Sequence, residues 1–207
     1  WQRGGYKVII GGPEDIGEYI KGVYSANGER AFDVDIMEQV YERKFTVEVT
    51  RPEDVPPPRE KGTPLGRHLN GCRIGFDAGA SDRKVAAVID GKDVFSEEVV
   101  WDPKNQSDPQ YHYSHIQEAL RSAARHMPRV DAIGISSAGI YINNRIMVAS
   151  IFRGVPREVF EKKVKNLFLD IKKEWGNIPL EVINDGEVTA LAGSMSLDVN
   201  RVLGIAL

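Results

Sequence analysis

The sequence predicts an α/β domain preceded by a smaller α/β unit. Two observations lead to this prediction: short apolar strands alternate with amphipathic helices after residue 71, and prolines and glycines replace most hydrophobic residues between residues 50 and 70. With 207 residues, 42% of them hydrophobic, the chain has enough apolar content for a buried core. A disordered chain and a fibrous protein are therefore excluded.

Residues 1–50 are predicted to form a small α/β unit of unknown role. Residues 7–10 and 45–50 show the apolar patterns of short strands, and residues 15–24 place apolar side chains at helical spacing. Glycine, asparagine and aspartate interrupt the following stretch, where the recognition helix of a helix-turn-helix motif would lie. The sequence therefore predicts no DNA-binding motif in this unit.

Residues 51–70 are predicted to form a proline-rich linker. Proline has no backbone N–H and restricts the residue before it, so it disfavours both helices and inner strands. The prolines of this stretch are Pro52, Pro56, Pro57, Pro58 and Pro64. A semi-rigid spacer is the favoured interpretation, and recognition of the prolines by a partner is the alternative.

Residues 71–195 are predicted to form the main lobe, with the element order βββαβαβα. The predicted strands cover residues 73–77, 85–89, 94–101, 130–136 and 180–184, and the predicted helices cover residues 113–127, 159–175 and 187–195. Asp90-Gly91 separates the second and third strands, and this dipeptide is typical of a tight hairpin turn. Residues 196–207 are predicted to contain the first strand of a second lobe. Because the chain starts at Trp1 and stops inside that strand, we expect it to be part of a longer protein.

Charge and cysteine content restrict the possible partners. Lys and Arg number 27 and Asp and Glu number 30, whereas a nucleic-acid-binding surface would normally show an excess of basic residues. The single cysteine, Cys72, permits neither an internal disulfide nor a cysteine-built metal site, which favours a reducing, cytoplasmic compartment. No apolar run approaches the roughly 18 residues that a membrane helix needs. We therefore expect neither a nucleic-acid nor a membrane partner.

The first candidate site follows the first strand of the main lobe. This strand carries Asp77 to its carboxyl end, where the ligands of α/β sheets gather. Gly79 permits a tight turn, so that backbone amides and the Ser81 hydroxyl would face a phosphate while Asp77 holds a metal through water molecules. The alternative is a β-hairpin with a polar turn and no ligand.

The second candidate site is Asn184-Asp185, which follows the strand predicted over residues 180–184. A helix with the small residues Ala190, Ala192 and Gly193 comes directly after it. Asp185 either acts chemically at the edge of the sheet or serves only as the N-terminal cap of this helix.

A third element lies between these two sites. Residues 134–139 read Gly-Ile-Ser-Ser-Ala-Gly and residues 153–156 read Arg-Gly-Val-Pro. A strand that ends in a serine- and glycine-rich turn offers hydroxyls and amides to a small polar ligand. His112 and His115 are spaced as metal ligands can be, but the absence of a third ligand nearby in the sequence predicts surface or capping roles for them.

The order of these three elements resembles the ROK family of sugar kinases and repressors. The similarity covers residues 71–207, and its most specific parts are Asn184-Asp185 with the small-residue helix and the Arg-Gly-Val-Pro sequence. The resemblance implies a ribonuclease H-like fold, with this lobe as the N-terminal lobe of an actin-like ATPase. It also implies ATP and Mg²⁺ as cofactors, a sugar as the small-molecule ligand, and assembly as a homodimer.

The resemblance also implies roles for individual residues. Asp185 is similar to the catalytic base that takes the proton from a sugar hydroxyl, whose oxygen then attacks the γ-phosphate of ATP. Asn184 would bind sugar hydroxyls, and Ser137 and Gly139 would line the sugar pocket.

The first phosphate loop is implied at Asp77, Gly79 and Ser81, with Asp77 acting on Mg²⁺. The family's loop reads Asp-x-Gly-Gly-Thr-Lys, whereas this chain reads Asp-Ala-Gly-Ala-Ser-Asp. The additional carboxylate, Asp82, would repel phosphates, and Lys84 would offset that repulsion.

Two functions remain open on these residues. The first is an ATP-dependent kinase that phosphorylates a hexose or a related sugar, and the alternative is a sugar-sensing regulator or pseudokinase with little catalysis. An ATPase activator of a radical dehydratase needs a cysteine-held iron–sulfur cluster, which the lone Cys72 does not supply. Because the second lobe supplies the other phosphate loop, these 207 residues alone are expected to be inactive as a kinase.

Overall fold

The computed structural model describes residues 4–59, 69–199 and 202–205. The chain divides into two compact units, Trp1–Thr63 and Pro64–Leu207. The part of the predicted linker that contains Pro64 lies outside the described residues.

The first unit is built on two parallel strands, β1 (Lys7–Gly11) and β2 (Thr46–Thr50), with helices α1 (Glu14–Val23) and α2 (Ala31–Tyr41) between them in sequence. Helix α1 packs closely on β2 at Gly17, where an added Cβ would lie 2.5 Å from Val49. A short 3₁₀ turn, Pro52–Asp54, follows β2.

Helix α2 was not predicted from the sequence. Its residues are rich in aspartate and β-branched side chains, which have low helix propensity. Tertiary contacts compensate for this, since Val34 and Val40 are buried and the buried Asp33 pairs with Arg30 one turn earlier.

The second unit is a mixed α/β layer around a five-stranded sheet. Its strands are β3 (Cys72–Ala78), β4 (Asp82–Ile89), β5 (Lys92–Val100), β6 (Ala132–Ser137) and β9 (Leu180–Ile183), arranged in the order β5-β4-β3-β6-β9. Strands β3, β4 and β5 are antiparallel neighbours, whereas β6 pairs in parallel with both β3 and β9. The carboxyl ends of β3, β6 and β9 therefore meet at one edge of the sheet.

The predicted hairpin turn at Asp90-Gly91 is confirmed. Asp90 has a φ of 49° and Gly91 a φ of 80°, the left-handed conformation that both central residues of such a turn require. Because this conformation is comfortable for glycine and tolerated by aspartate, the dipeptide joins β4 to β5 directly.

One face of the sheet carries the hydrophobic core. Alternate strand residues point to this face and pack against α3 (Pro109–Ala124) and α5 (Leu167–Glu174), as Phe76, Ile135, Leu120 and Phe168 illustrate. The other face carries small and polar residues, among them Gly75, Asp77, Lys84, Gly134 and Ser136. Helix α6 (Asp185–Leu197) lies on this second side, and none of its residues is buried.

The predicted order βββαβαβα lacks a hairpin that the structure contains. Strands β7 (Gly139–Ile142) and β8 (Arg145–Ala149) pair with each other after β6, joined by Asn143 and Asn144, which both have positive φ. Asparagine tolerates this conformation better than most residues do, so Asn-Asn between apolar runs is the turn signal that was overlooked.

The single helix predicted over residues 159–175 is interrupted. The chain forms a short helix α4 (Arg157–Val159), a π-helical turn (Phe160–Val164) and then α5. Val164, at the end of the π-helical turn, and Phe168, in α5, are both completely buried in the core.

Residues 202–205 do not form the strand that was predicted at the end of the chain, and their backbone is irregular. These residues pack on α6 instead. A Cβ on Gly204 would lie 2.3 Å from the carbonyl oxygen of Gly186, and Val202 lies against Gly193.

Candidate active site

A cleft of about 950 Å³ separates the polar face of the sheet from α6. Asp77 on β3 and Asp185 at the start of α6 both line it, together with Lys84 and Ser136. The fold thus brings the two predicted carboxylates, which are more than 100 residues apart, to one cavity.

Asp77 occupies the penultimate position of β3 and faces the cleft. Its neighbours across the strands are Lys84 on β4 and Ser136 on β6. Within the described parts of the chain, its carboxylate forms no hydrogen bond or ion pair. Both of its oxygens are therefore available to a ligand.

The turn between β3 and β4 contains Gly79 and Ser81. The Trp101 indole N–H donates to the carbonyl of Gly79 at 2.8 Å, and the Trp101 backbone N–H donates to the carbonyl of Ser81 at 3.1 Å. A Cβ on Gly79 would lie 2.6 Å from the carbonyl oxygen of Asp82, so this position requires glycine. The Ser81 hydroxyl is exposed. Contact of this turn with a phosphate stays a prediction.

Asp82 and Lys84 form an ion pair beside this turn, with 2.9 Å between Lys84 Nζ and Asp82 Oδ1. The hydrogen bond to Asp82 raises the pKa of Lys84 above its usual value. Lys84 thus balances the charge of Asp82, as we predicted from the sequence.

Asn184, and not Asp185, caps α6. The Asn184 side chain accepts from the N–H of Gly186 at 2.9 Å, and the Glu187 side chain accepts from the Asn184 N–H, which completes a capping box. The Asn184 side-chain amide also donates to the carbonyl of Gly139 at 3.0 Å. Asp185 is the first helical residue and is half-buried. The capping role that was the alternative for Asp185 therefore falls to its neighbour.

Ser137 and Gly139 both make structural contacts at the end of β6. Ser137 is buried and its hydroxyl donates to the carbonyl of Ala78 on β3 at 2.9 Å. A Cβ on Gly139 would lie 2.5 Å from the carbonyl oxygen of Val148, so the β7–β8 hairpin requires glycine here. Direct contact of either residue with a ligand stays a prediction.

Tyr141 is a polar residue that the sequence reasoning missed. It lies on β7, directly after a register shift in the β7–β8 pair, and its ring packs against Phe168. Its hydroxyl is buried beside the Ser137 side chain; burial raises the pKa of Tyr141 to about 12, and the hydrogen bond with Ser137 opposes this rise. A tyrosine between isoleucines is normal in a strand, so nothing in the sequence distinguishes it from a core residue.

The surface or capping role predicted for His112 is wrong. His112 is completely buried in α3, and its Nε2 lies 2.8 Å from the carbonyl oxygen of Ile151 and 3.0 Å from that of Pro103. His115 lies against Tyr111 and is partly buried, and this burial lowers its pKa. Among the described residues, no three His, Cys, Asp or Glu side chains are grouped as a metal site requires.

The residues of the cleft suit a Mg²⁺ ion whose coordination is completed by the phosphates of a nucleotide. Mg²⁺ keeps several waters and takes one or two carboxylates, with the substrate phosphates as its remaining ligands. Asp77 provides one such carboxylate, unpartnered and facing the cleft.

No protein-family model matches this chain, and no curated protein does. Solved structures do. A ROK-family transcriptional regulator, homologous to the MLC protein of E. coli, is 19% identical with a TM-score of 0.48, covering 63% of this chain and 33% of its own. A polyphosphate/ATP-glucomannokinase of Arthrobacter is 21% identical with a TM-score of 0.46, covering 60% and 48%. A ROK hexokinase of Thermus thermophilus is 18% identical with a TM-score of 0.43, covering 59% and 37%.

These neighbours are of the family that the sequence resembles. The chain spans a third to a half of their length, and the likeness assigns no role to any residue here. In the parts of the chain that the structure describes, no helix has the length and hydrophobicity to cross a membrane.

Proposed function

We propose that this chain contains the N-terminal lobe of a ROK-type sugar kinase with the ribonuclease H-like, actin-like ATPase fold. The observation that carries the proposal is the convergence of Asp77 and Asp185 on one cleft, with Asn184 taking over the helix cap. The Asp77 carboxylate forms no hydrogen bond with a described residue, and that of Asp185 accepts one, from the N–H of Gly186 at 3.0 Å. Two carboxylates at the carboxyl edge of a sheet suit a reaction that needs a proton acceptor and a metal-bound phosphate.

In this proposal Asp185 accepts the proton of a sugar hydroxyl, and the resulting oxygen attacks the γ-phosphate of ATP. Asn184 orients the sugar with the N–H that the Gly139 carbonyl leaves free. A Mg²⁺ ion held through Asp77 would neutralise phosphate charge. Gly79 and Ser81 would contact the phosphates from the β3–β4 turn.

The test is ATP consumption by the complete protein across hexoses, amino sugars and N-acetylated sugars. We expect turnover with one class of sugar, and Asp185→Asn should reduce it by about 10²–10⁴-fold because the proton acceptor is lost. The matched control is Asp170→Asn, an exposed carboxylate on α5 that pairs with Lys173 outside the cleft. Full activity of Asp185→Asn would refute the proposed role.

Asp82 favours a second candidate, a sugar-sensing regulator or pseudokinase. It stands where the family has a lysine, and Lys84 is engaged in balancing its charge. Stabilisation of the protein by a sugar without any ATP consumption would select this candidate.

The Asp82→Asn variant further distinguishes a sugar kinase from a sugar-sensing regulator or pseudokinase. We expect this variant to bind ATP about fivefold more tightly, because a carboxylate near the phosphates repels them. Asp93→Asn, at the opposite end of the β4–β5 pair, is the control and should leave ATP affinity unchanged. Equal affinity in all three proteins would show that the turn does not bind phosphate.

We also propose that the protein is cytoplasmic and forms a homodimer.

A further inference from the structure

Asn144 binds the outer edge of strand β9 with its side chain. The side-chain amide donates to the carbonyl of Leu180 at 2.9 Å, and the side-chain oxygen accepts from the N–H of Val182 at 2.8 Å. These partners fix the orientation of the amide, because a carbonyl needs a donor and an N–H needs an acceptor. All three residues are buried. The loss of this side chain would therefore leave two backbone groups unpaired away from water.

The Asn144 side chain occupies the place of a sixth strand. Strand β9 is the last strand of the five-stranded sheet, and along one edge it pairs in parallel with β6. On its other edge, Leu180 and Val182 present the two backbone groups that one residue of a further parallel strand would bind. Asn144 binds both of them with a single amide. The four residues of β9 are thus hydrogen-bonded on both sides.

Strand β9 leads directly into the proposed site. Asn184 follows its last residue, and Asp185 begins α6. The Asn184 amide donates to the carbonyl of Gly139 at the start of β7, whereas Asn144 lies in the turn at the other end of the β7–β8 hairpin. Two side-chain amides, one at each end of the hairpin, therefore connect it to β9 and to the junction that carries Asp185.

We propose that Asn144 is a positioning residue for Asp185. Because it holds the backbone of β9 at Leu180 and Val182, it fixes the direction in which the chain leaves the sheet toward the cleft. Asp185 lies three residues beyond Val182, and a displacement of about 1 Å at a reacting group can slow a reaction by about 100-fold. The inference rests on the proposed function, since it takes Asp185 to be the proton acceptor.

The hairpin turn offers a matched pair of variants. Asn143 and Asn144 have φ values of 51° and 62°, a conformation that glycine adopts without strain. Asn143 is exposed, whereas Asn144 is buried against β9. Asn144→Gly therefore removes both bonds to β9 and retains the turn, and Asn143→Gly retains the turn and the bonds. Ile146→Val, at a completely buried position of β8, controls for a loss of stability without a loss of these bonds.

The experiment measures steady-state ATP consumption by the complete protein with the sugar that it turns over. Wild type and the three variants are compared at a temperature at which all of them are folded. Asn144→Gly should lower kcat about tenfold because Asp185 is misplaced, and it should change KM for ATP by less than about twofold because Asp77 and its turn stay in place on β3. Asn143→Gly and Ile146→Val should keep the wild-type kcat.

Hydrogen exchange of the Val182 amide tests the bond to Asn144 independently of catalysis. In Asn144→Gly this amide should exchange about tenfold faster, whereas the amides of β3 should keep their protection. A wild-type kcat in Asn144→Gly, or unchanged exchange at Val182, overturns the inference. An equal loss of kcat in Ile146→Val overturns it too, because the effect would then follow stability. If the wild-type protein consumes no ATP with any sugar, the proposed function fails and the inference fails with it.

Discussion

Gly139 and Gly134 lie close together in the chain but differ in the space that a side chain would find. A Cβ on Gly139 would lie 2.5 Å from the carbonyl oxygen of Val148, whereas a Cβ on Gly134 would meet nothing within 4 Å. We predict that Gly139→Ala lowers the free energy of unfolding by roughly 1–3 kcal/mol, because the backbone of β8 has to shift. Gly134→Ala should leave it unchanged or raise it slightly. Urea unfolding followed by circular dichroism measures both, and equal effects would contradict the close contact.

Asp131 gives the stability of the sheet a dependence on pH. Its carboxylate accepts from Arg129 and from the N–H of Cys72, and these bonds lower its pKa below the usual value. A lowered pKa in the folded state means that the carboxylate stabilises the fold above the unfolded pKa and loses this effect as the pH falls through the folded one.

We therefore predict that Asp131→Asn lowers the free energy of unfolding by a constant amount at neutral pH. The difference from wild type should narrow as the pH falls below about 4. Urea titrations at several pH values test this. A difference that stays the same from neutral to strongly acidic pH would show that the charge of Asp131 contributes nothing.

At the scale of elements, Asn184 joins α6 to the β7–β8 hairpin. We predict that Asn184→Ala costs about 2 kcal/mol of unfolding free energy, since it removes the helix cap and leaves the Gly139 carbonyl unpaired. Asn184→Ser keeps a capping oxygen but cannot reach Gly139, so it should cost about half as much. The measurement is urea unfolding of the three proteins. A serine variant as unstable as the alanine variant would mean that the cap contributes little.

The elements with strong local signals could be predicted from the sequence. The Asp90-Gly91 turn, the alternation in β3 and β6, and the Asn184-Asp185 junction each follow from short-range rules. The β7–β8 hairpin also has a local signal, the Asn143-Asn144 turn, which was overlooked. Helix α2 could not be predicted, because its stability comes from tertiary contacts such as the burial of Val34 and Val40. For the same reason the sequence did not show that Asn184 would be the cap of α6, or that the Tyr141 hydroxyl would be buried.

At the scale of the whole molecule, the two units differ in core size. Among the described residues of the first unit, the buried hydrophobic side chains are Val34 and Val40, whereas the second unit contains one extensive hydrophobic cluster. Small units bury too little apolar surface to be more than marginally stable.

We predict that the first unit unfolds at a lower urea concentration than the second. Hydrogen exchange should show the amides of β2 losing protection before those of β6. A single transition that covers both strands would mean that the two units unfold cooperatively.

Cys72 is the one thiol of the chain, and its side chain is 2% exposed on β3, the middle strand of the sheet. A thiol reagent can reach it only in molecules whose central sheet has opened. The rate at which the native protein is alkylated therefore reports the frequency of that opening, without any engineered probe. Addition of a sugar that binds the cleft should slow the alkylation, so one residue remote from the ligand gives a direct reading of occupancy.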